Sequence, residues 1–251
     1  MLKITELCYR YPGGPDLLKS VNFELEPGTF LAILGNNGAG KSTLIKCFSK
    51  IIFPNNGSIR MDGEELLHMS CMELAKRVAL VSQSVPSTRM TVHDMVMLGR
   101  RPYMHWRFSE QDHRIVHEAM DRLGLSPIRG RYLDELSGGE RQKVMFARAL
   151  AQQPRVMLLD EPTSSLDLCN QYRVLSLMRQ ICHEEGITAM MVIHDLNLAL
   201  RFCDLFLLLH GGTVFRFGGP EILDREALRQ VYGLSGDVKD VDGVKMVAVD
   251  L

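Results

Sequence analysis

Residues 29–44, TFLAILGNNGAGKSTL, decide the fold of this chain. A continuous apolar run ends at Gly35, the residues from Gly35 to Ser42 match the pattern GxxxxGK[ST], and an apolar helical stretch follows. This order predicts a buried strand, a glycine loop and a helix. In such a loop consecutive backbone N–H groups converge on phosphate groups, and the N-terminus of the helix adds positive potential. The pattern therefore predicts a phosphate-binding site.

The loop residues that we expect at this site are Gly35, Asn36, Asn37, Gly38, Ala39, Gly40, Lys41, Ser42 and Thr43. The Lys41 side chain reaches the terminal phosphates in loops of this type, and the Ser42 hydroxyl is a ligand for Mg²⁺. A glycine-rich turn that binds nothing is the alternative. The apolar strand before the loop and the helix after it argue against that alternative.

A second anchor for Mg²⁺ is predicted at the end of another apolar run, VMLLDE, at residues 156–161. A carboxylate at the end of a neighbouring buried strand commonly holds a phosphate-bound Mg²⁺, and Asp160 has that place. The next residue, Glu161, can point past the metal and orient or deprotonate the attacking water. An apolar strand that ends in Asp-Glu is often a solvated strand end, but the phosphate loop upstream favours the metal site.

A second helix with an anion-binding start is predicted at LSGGERQ, residues 136–142. Ser137 and two glycines begin this helix, and a helix N-terminus of this kind can contact phosphate. The other interpretation is a simple helix cap, in which Ser137 is the N-cap and Glu140 completes a capping box. Both interpretations can hold together because the cap shapes the terminus that meets the phosphate.

The composition is that of an ordinary folded protein, with 251 residues, 46% of them hydrophobic, and 29 basic against 30 acidic side chains. This balance excludes intrinsic disorder. No apolar run approaches the ~20 residues of a membrane-spanning helix, and the N-terminus lacks the features of a signal peptide. We therefore expect a cytoplasmic protein with at most a peripheral membrane role. A net charge of −1 without a basic run argues against nucleic acid as the main partner.

The cysteines and two histidines are the candidate ligands for a transition metal. The six cysteines are scattered without a CxxC pair, and we interpret them as thiols that fill the core. His113 and His117, four apart on a predicted helix, could bind a metal ion, but exposed pairs of this kind are usually solvated surface. Neither set therefore predicts a transition-metal site.

Alternating apolar residues predict antiparallel strands at residues 2–9 and 17–28. Strands at 57–63 and 78–83 are assigned to a parallel or mixed sheet covered by helices. Helical periodicity then replaces the strand pattern, and strands alternate with helices again from residue 155. This organisation divides the chain into an α/β core at 1–83 and 154–225, a helical subdomain at 84–153, and a tail at 226–251 with a hairpin turn at Asp242-Gly243.

Over nearly its whole length the chain resembles the nucleotide-binding subunit of an ATP-binding-cassette (ABC) transporter. LSGGE is the signature sequence of that family. GNNGAGKS, VMLLDEP, SSLD at 164–167, Gln83 after one strand and His194 at the end of another follow the family's order and approximate spacing. The resemblance implies a P-loop NTPase (RecA-like) core with an antiparallel β subdomain and an inserted α-helical subdomain. It also implies an ATPase that uses ATP and Mg²⁺.

The resemblance gives roles to residues that the bare sequence leaves unassigned. Tyr11 matches the aromatic residue that stacks on adenine, and Tyr9 is the alternative. Gln83 matches the residue that touches Mg²⁺ or the attacking water, and His194 matches a histidine that contacts the γ-phosphate. By themselves these two would be read as an ordinary loop residue and a structural histidine. Asp167 matches a carboxylate that crosses to the partner subunit.

The resemblance also implies a homodimer in which each ATP lies between two chains. The signature residues Ser137, Gly138, Gly139 and Glu140 of one chain would close over the ATP held by Lys41 of the other. This dimer would bind a dimer of integral membrane permeases at the cytoplasmic face of the cell membrane. An external substrate-binding protein would deliver the cargo to that permease.

Within the family, TVHDMVMLGRRPY at 91–103 and DEPTSSLDLCNQ at 160–171 are similar to subunits of iron-siderophore, haem and cobalamin importers. Segment 91–103 is expected where the family meets its permease, although its Met and Val residues could equally be helix core. One alternative is import of a metal ion or an oxyanion, and another is a soluble ABC ATPase of DNA repair or translation. A P-loop metabolic kinase would leave LSGGE and SSLD without purpose. Asn36 stands where many family members have proline, and we expect little consequence.

Overall fold

The computed structural model describes residues 1–83, 88–164 and 166–250. Its strands, in chain order, are β1 Leu2–Arg10, β2 Asp16–Leu25, β3 Phe30–Leu34, β4 Asn56–Met61, β5 Glu64–Glu65, β6 Val78–Val81, β7 Val156–Asp160, β8 Thr188–Val192, β9 Leu205–His210, β10 Thr213–Gly218, β11 Gly236–Val241 and β12 Val244–Val249. The helices are α1 Lys41–Phe48, α2 Cys71–Ala75, α3 Val92–Met97, α4 Glu110–Arg122, α5 Gly138–Ala151, α6 Leu168–Glu185, α7 Leu196–Phe202 and α8 Arg225–Ala227, which continues as a π-helical turn, Leu228–Tyr232.

The central sheet contains β3, the strand that leads into the glycine loop. Its described strands lie in the order β10-β9-β3-β8-β7-β6, and all are parallel except β10, which is antiparallel to β9. Helices cover the sheet, so its strands are continuous apolar runs, and every residue of β3 is buried. The carboxyl ends of β3, β7 and β8 share one edge of the sheet, which is where ligands of such sheets bind.

Two hydrophobic cores lie on the two faces of this sheet. Phe30, Ala32 and Leu34 of β3 belong to one core, which also contains the apolar faces of α3 to α7. Leu31 and Ile33 belong to the other core, together with α1 and strands β1, β2 and β4. The division follows from the alternation of side chains along a strand. The strand before the glycine loop is therefore held from both sides.

β1 lies inside an antiparallel sheet with the described order β2-β1-β4-β5. The assignment of residues 57–63 to the parallel or mixed sheet is wrong, because this stretch forms β4 and pairs with β1, with Ile4 opposite Ile59. Ile59 and Met61 are buried while Arg60 between them is exposed, as in a sheet with one solvated face. A local pattern predicts a strand but does not specify which strand it pairs with.

α3, α4 and α5 pack against one another and form a helical layer. These helices confirm the helical periodicity in this part of the sequence, and residues 84–87 at the start of the proposed subdomain lie outside the described residues. Arg100 follows α3 and its side chain is only 5% exposed. It donates to the Asp112 carboxylate at 2.8 Å and to the Ala151 carbonyl oxygen at 2.9 Å. One buried guanidinium thus joins the three helices.

Asp112 is the buried counter-ion of Arg100, with a side chain 7% exposed. Burial by itself raises the pKa of this carboxyl. Hydrogen bonds from the side chain and backbone of Ser109, and the contact with Arg100, lower the pKa by more, so that it lies below its usual value. The carboxylate is therefore ionised at neutral pH and pairs with the guanidinium.

The C-terminal residues form a hairpin of β11 and β12. Its turn is the predicted Asp242-Gly243, with φ angles of 53° and 78°, and β12 lies against α7. Among the described residues, no helix has both the length and the apolar character needed to span a bilayer.

The six cysteines differ in burial, and Cys8 is half-buried. Cys47, Cys182 and Cys203 are buried, and burial raises the pKa of the Cys47 and Cys182 thiols to about 12. Cys71 and Cys169 are exposed, so the interpretation of every cysteine as a core side chain is wrong for these two. Cys71 lies in the first turn of α2 and Cys169 in the first turn of α6, each on the solvent-exposed face of its helix.

Arg100→Ala should destabilise the protein by about 3–5 kcal/mol at pH 7, because it leaves the Asp112 carboxylate buried without its cation. The free energy of unfolding in urea measures this loss. Since the folded pKa of Asp112 lies below its unfolded value, the stabilisation is complete above about pH 4 and declines as the pH falls further. Lys3→Ala, which breaks the exposed pair with Glu24, is the control and should cost less than about 1 kcal/mol. Equal losses for the two variants would contradict this account.

Candidate functional site

The loop after β3 has glycines at positive φ, with Gly35 at 139°, Gly38 at 80° and Gly40 at 100°. A Cβ on Gly35 would lie 2.3 Å from the carbonyl oxygen of Leu209, and one on Gly40 would lie 2.8 Å from that of Leu17. Both positions therefore require glycine for backbone conformation and for space. Among the described residues, no atom lies within 4 Å of the Cβ position of Gly38. The loop is pressed against β2 and β9 on one side and is open on the other.

Lys41 begins α1 and is only 6% exposed. Its Nζ donates to the carbonyl oxygens of Gly35 at 2.7 Å and of Asn36 at 2.9 Å, so the loop closes around the ammonium group. Burial lowers the pKa of Lys41, and the nearby carboxylates of Glu161 and Asp160 act in the opposite direction. The carbonyl dipoles compensate the buried ammonium charge only in part, and a bound phosphate would supply the full negative charge that stabilises it.

Ser42 and Asp160 bring two oxygen ligands together at the end of β7. The Ser42 Oγ donates to Asp160 Oδ1 at 3.1 Å. Burial raises the pKa of Asp160, and although the Ser42 hydrogen bond and two lysines lower it, the charge of Glu161 adds to the rise. A divalent cation would offset both unfavourable contributions. The pair fits Mg²⁺, which prefers oxygen ligands and keeps several waters, and when bound this ion would neutralise phosphate charge.

Glu161 is the residue on which the other two predicted catalytic side chains meet. Gln83 Nε2 donates to Glu161 Oε2 at 2.8 Å, and His194 Nε2 lies 2.7 Å from Glu161 Oε1. The Glu161 backbone has φ of 49°, which is uncommon for a residue other than glycine, and its N–H donates to the Val192 carbonyl oxygen of β8. The two Glu161 carboxylate oxygens are thus oriented by Gln83, which follows β6, and by His194, which follows β8.

Several of these residues line a cavity of about 230 Å³ at the edge of the central sheet, and Gly35, Gln83 and Asp160 are not among its described lining residues. Leu17 is the one described lining residue that the sequence analysis did not identify. The other lining residues are all predicted site residues, namely Asn37, Gly38, Gly40, Lys41, Ser42, Thr43, Glu161 and His194. Leu17 belongs to β2 and carries no sequence signal for binding. Ser137, Gly138 and Gly139 are not among the described residues that line this cavity.

The two tyrosines at the end of β1 differ in exposure. Tyr9 is 7% exposed and packs into the core below the antiparallel sheet, whereas Tyr11 is 41% exposed. Their rings meet edge to face, with centroids 4.9 Å apart. The buried ring therefore supports the exposed one. Tyr11, which the sequence analysis preferred, has the free surface that stacking on a base requires.

The signature residues form a complete helix cap. Ser137 is the N-cap of α5, its Oγ accepts from the Glu140 N–H at 3.3 Å, and Glu140 Oε2 accepts from the Ser137 N–H at 2.8 Å. These contacts confirm the predicted capping box and lower the pKa of Glu140. Asp167 is likewise the N-cap of α6, and its two carboxylate oxygens accept from the backbone and side chain of Asn170, both at 2.8 Å.

Two further contacts at the site join residues that are distant in the sequence. The Gly35 N–H donates to Tyr232 Oη at 3.0 Å across 197 residues. The Asn170 side chain lies 3.2 Å from the Cβ position of Gly139, so it links the start of α5 to Asp167. Tyr232 lies in no motif, and Asn170 lies in the segment 160–171 without a predicted role there.

His113 and His117 lie exposed on α4. Their ring centroids lie 6.0 Å and 5.9 Å from that of His93. Within the described ranges, no group of three or more His, Cys, Asp or Glu residues is arranged to hold a metal ion. We interpret His113 and His117 as solvated surface beside the half-buried His93.

Residues 18–164 match the sequence family described as ABC transporter. An uncharacterized ABC transporter ATP-binding protein of Methanocaldococcus jannaschii is 43% identical over 92% of this chain and 91% of its own length. The achromobactin transport ATP-binding protein CbrD of Dickeya dadantii is 39% identical over 87% and 82%. The phosphonates import ATP-binding protein PhnC of Thiobacillus denitrificans is 36% identical over 94% and 93%.

Solved structures agree with these matches. One described as a metal-chelate type ABC transporter in an inward-facing conformation superposes with a TM-score of 0.85 at 30% identity, over 99% of this chain and 96% of the other. The dimeric ATP-binding cassette MJ0796 bound to ADP and Pi gives 0.75 at 28% identity, over 87% and 98%. The chain therefore belongs to the ABC transporter family. It has the predicted P-loop NTPase fold, binds ATP and is an ATPase.

Glu161→Gln should leave ATP binding near the parental level and lower turnover by roughly 10²–10⁴, the range for loss of a general base. The substitution keeps the shape of the side chain and removes its charge. Steady-state phosphate release and ATP titration measure the two effects. Glu118→Gln on the exposed surface of α4 is the control and should behave as the parent. Hydrolysis by Glu161→Gln at near the parental rate would show that another group activates the water.

Proposed function

We propose that this chain is the ATP-hydrolysing subunit of an importer for an iron chelate, haem or cobalamin. Two copies would close two ATP sites at the cytoplasmic face of the membrane and drive uptake through a separate dimer of permeases. The observation that carries the ATPase mechanism is the contact of Glu161 with both Gln83 and His194, beside Lys41. The domain division at 1–83 with 154–225, 84–153 and 226–251 is part of this proposal.

Each predicted site residue has a place in the proposed reaction. Lys41 and the loop N–H groups would hold the β- and γ-phosphates, and Ser42 and Asp160 would hold Mg²⁺, with Gln83 beside them through its contact with Glu161. Glu161 orients the attacking water and accepts its proton at a carboxylate oxygen. His194 Nε2 places the Glu161 carboxylate in this structure and, with ATP bound, would donate from the same nitrogen to the γ-phosphate instead. Tyr11 stacks on adenine.

The signature helix completes the site of a second copy in this proposal. In this structure the Ser137 N–H and hydroxyl both donate to the Glu140 carboxylate, so Glu140 shapes the terminus. On closure the Ser137 hydroxyl would turn to the ligand beside the Gly138 and Gly139 backbone. Asp167 reaches across the same interface. The support for this arrangement is the separation of these residues from the cavity of their own chain, together with the dimeric state of the similar cassette bound to ADP and Pi.

Ser137→Arg should keep the parental affinity for ATP, because Lys41 is intact, but should not hydrolyse ATP. Lys41→Ala should bind ATP at least tenfold more weakly, about the loss for a charged hydrogen-bonding group, and should also be inactive. Mixed dimers of the two should recover part of the activity, because one composite site contains both intact residues. Phosphate release from purified mixed dimers and ATP-dependent association of the single variants measure these effects.

Ser70→Arg is the matched control for the signature substitution. Ser70 forms the same capping box with Glu73 at the start of α2. This variant should associate and hydrolyse as the parent does. If Ser137→Arg alone hydrolysed ATP as fast as Ser70→Arg, closure by the signature of a second chain would be refuted.

The permease contact is proposed at the helical layer, in and after segment 91–103. Most apolar residues of this segment are buried core, which favours the helix-core interpretation for Val92, Met95, Val96 and Met97. What remains for a partner is the exposed surface nearby, with Trp106 98% exposed. An isolated exposed tryptophan is unusual on a free surface and common in interfaces. The similarity of segment 91–103 to one importer class therefore comes partly from residues that pack in the core and not from residues that could contact a permease.

Two kinds of cargo find support among the relatives of this chain. The achromobactin relative and the structure described as a metal-chelate type transporter support a metal chelate. The phosphonates relative, at 36% identity, favours a phosphorus oxyanion as a second candidate. Cargo is held by the permease and the external binding protein, so neither candidate would leave a pocket in this chain.

The cargo proposal predicts a selective response of the assembled transporter. With its permease and binding protein in liposomes, ATP hydrolysis should rise at least severalfold with a ferric siderophore, haem or a corrinoid. A phosphonate, a sugar or an amino acid should leave the basal rate unchanged, and Glu161→Gln complexes should respond to none. Stimulation by a phosphonate would replace the metal chelate by the oxyanion, and failure to form a complex with any permease would favour a soluble ATPase.

A further inference from the structure

The residues from 224 to 250, which we call the C-terminal segment, contact the ATP site at two points. The first is the hydrogen bond from the Gly35 N–H to Tyr232 Oη, at 3.0 Å. Gly35 lies one residue beyond the end of β3, so this N–H is outside the strand pairing. A buried backbone N–H without an acceptor is unfavourable, and Tyr232 supplies that acceptor.

Gly35 is the residue whose orientation matters most for Lys41. Its carbonyl oxygen accepts from Lys41 Nζ at 2.7 Å, so its N–H is held by Tyr232 and its C=O holds the lysine. Glycine has the widest backbone freedom of any residue, and at φ of 139° no other residue fits. The Tyr232 hydroxyl fixes the Leu34–Gly35 peptide group, and the carbonyl that holds the lysine belongs to the next peptide group. Loss of the hydroxyl would therefore release the first of two linked groups and let the lysine shift.

Tyr232 is itself held rigidly. It ends the π-helical turn Leu228–Tyr232, in which Leu228 and Val231 are buried, and its ring packs against the larger hydrophobic core. Burial raises the pKa of Tyr232 to about 12, so the phenol is neutral and its oxygen accepts from Gly35. Single π-helical turns are often found at functional positions.

The second point of contact lies beside His194. In the hairpin, the Val247 N–H donates to Asn197 Oδ1 at 2.8 Å. Asn197 is in the first turn of α7, which is capped by Asp195 through bonds from the Asn197 and Leu198 N–H groups. His194 directly precedes that cap. The C-terminal segment thus bonds to the start of the phosphate loop and to the helix that follows His194.

We propose that the C-terminal segment is a positioning element of the ATP site and that Tyr232 is a positioning residue of the phosphate loop. Its hydroxyl anchors the Leu34–Gly35 peptide group, which precedes the carbonyl that holds Lys41, and the hairpin holds α7 behind His194. This inference rests on the proposed phosphate-binding role of Lys41. It gives the tail of the chain a function in nucleotide binding.

Tyr232→Phe tests the proposal because it removes the hydroxyl and keeps the ring in the core. We expect KM and Kd for ATP to rise about threefold to tenfold, the range for loss of one hydrogen bond, with kcat at saturating ATP within twofold of the parent. Tyr103→Phe is the matched control, since it removes a hydroxyl that donates to the Gln152 carbonyl oxygen at 3.1 Å in the helical layer. The control should lose a similar amount of stability and keep the parental Kd.

Hydrogen exchange gives a second measurement that does not depend on hydrolysis. The Gly35 amide should exchange slowly in the nucleotide-free parent and at least tenfold faster in Tyr232→Phe. If Tyr232→Phe kept the parental Kd for ATP, or if both tyrosine variants changed Kd equally, the contact between Tyr232 and Gly35 would have only a structural role. If Lys41→Ala bound ATP as the parent does, the phosphate-binding role itself would fail. If Lys41→Ala lost binding while Tyr232→Phe kept it, this inference alone would fail.

Discussion

The buried ammonium group of Lys41 is the interaction on which the ATP site depends. It lies inside the loop that it serves, held by the carbonyl oxygens of Gly35 and Asn36. A cation in this environment is poorly compensated, because burial weakens its solvation and carbonyl dipoles replace only part of it. The site is therefore prepared for an anion. The close approaches at Gly35 and Gly40 hold the loop in the shape that keeps the lysine there.

The parallel order of the central sheet turns three separate motifs into one site. β7 and β8 are neighbours, with Asp160 opposite Val192, so the residue after β7 meets the residues after β8. Glu161 and His194 come into contact for this reason, and Gln83 joins them from the end of β6, the other neighbour of β7. The positive φ of Glu161 re-aims its side chain away from the strand direction.

The helix caps at Ser137 and Asp167 connect local structure to assembly. Each is a complete cap within its own chain, through Glu140 and Asn170 respectively. Asn170 also approaches Gly139, so the two caps form one surface and not two independent ones. A second copy that binds at this surface would meet a rigid N-terminus whose shape is set before binding, which lowers the entropy cost of closing the site.

The sequence by itself determined the features that depend on neighbours along the chain. The glycine loop, the Ser137 capping box and the Asp242-Gly243 turn follow from local backbone conformation and short-range hydrogen bonds. The family motifs then indicated the candidate catalytic side chains. Only the tertiary structure decided that β4 pairs with β1, that two cysteines are exposed, and that Tyr232 reaches Gly35. These depend on which distant segments pack together, and side-chain pattern along one segment carries no information about its partner.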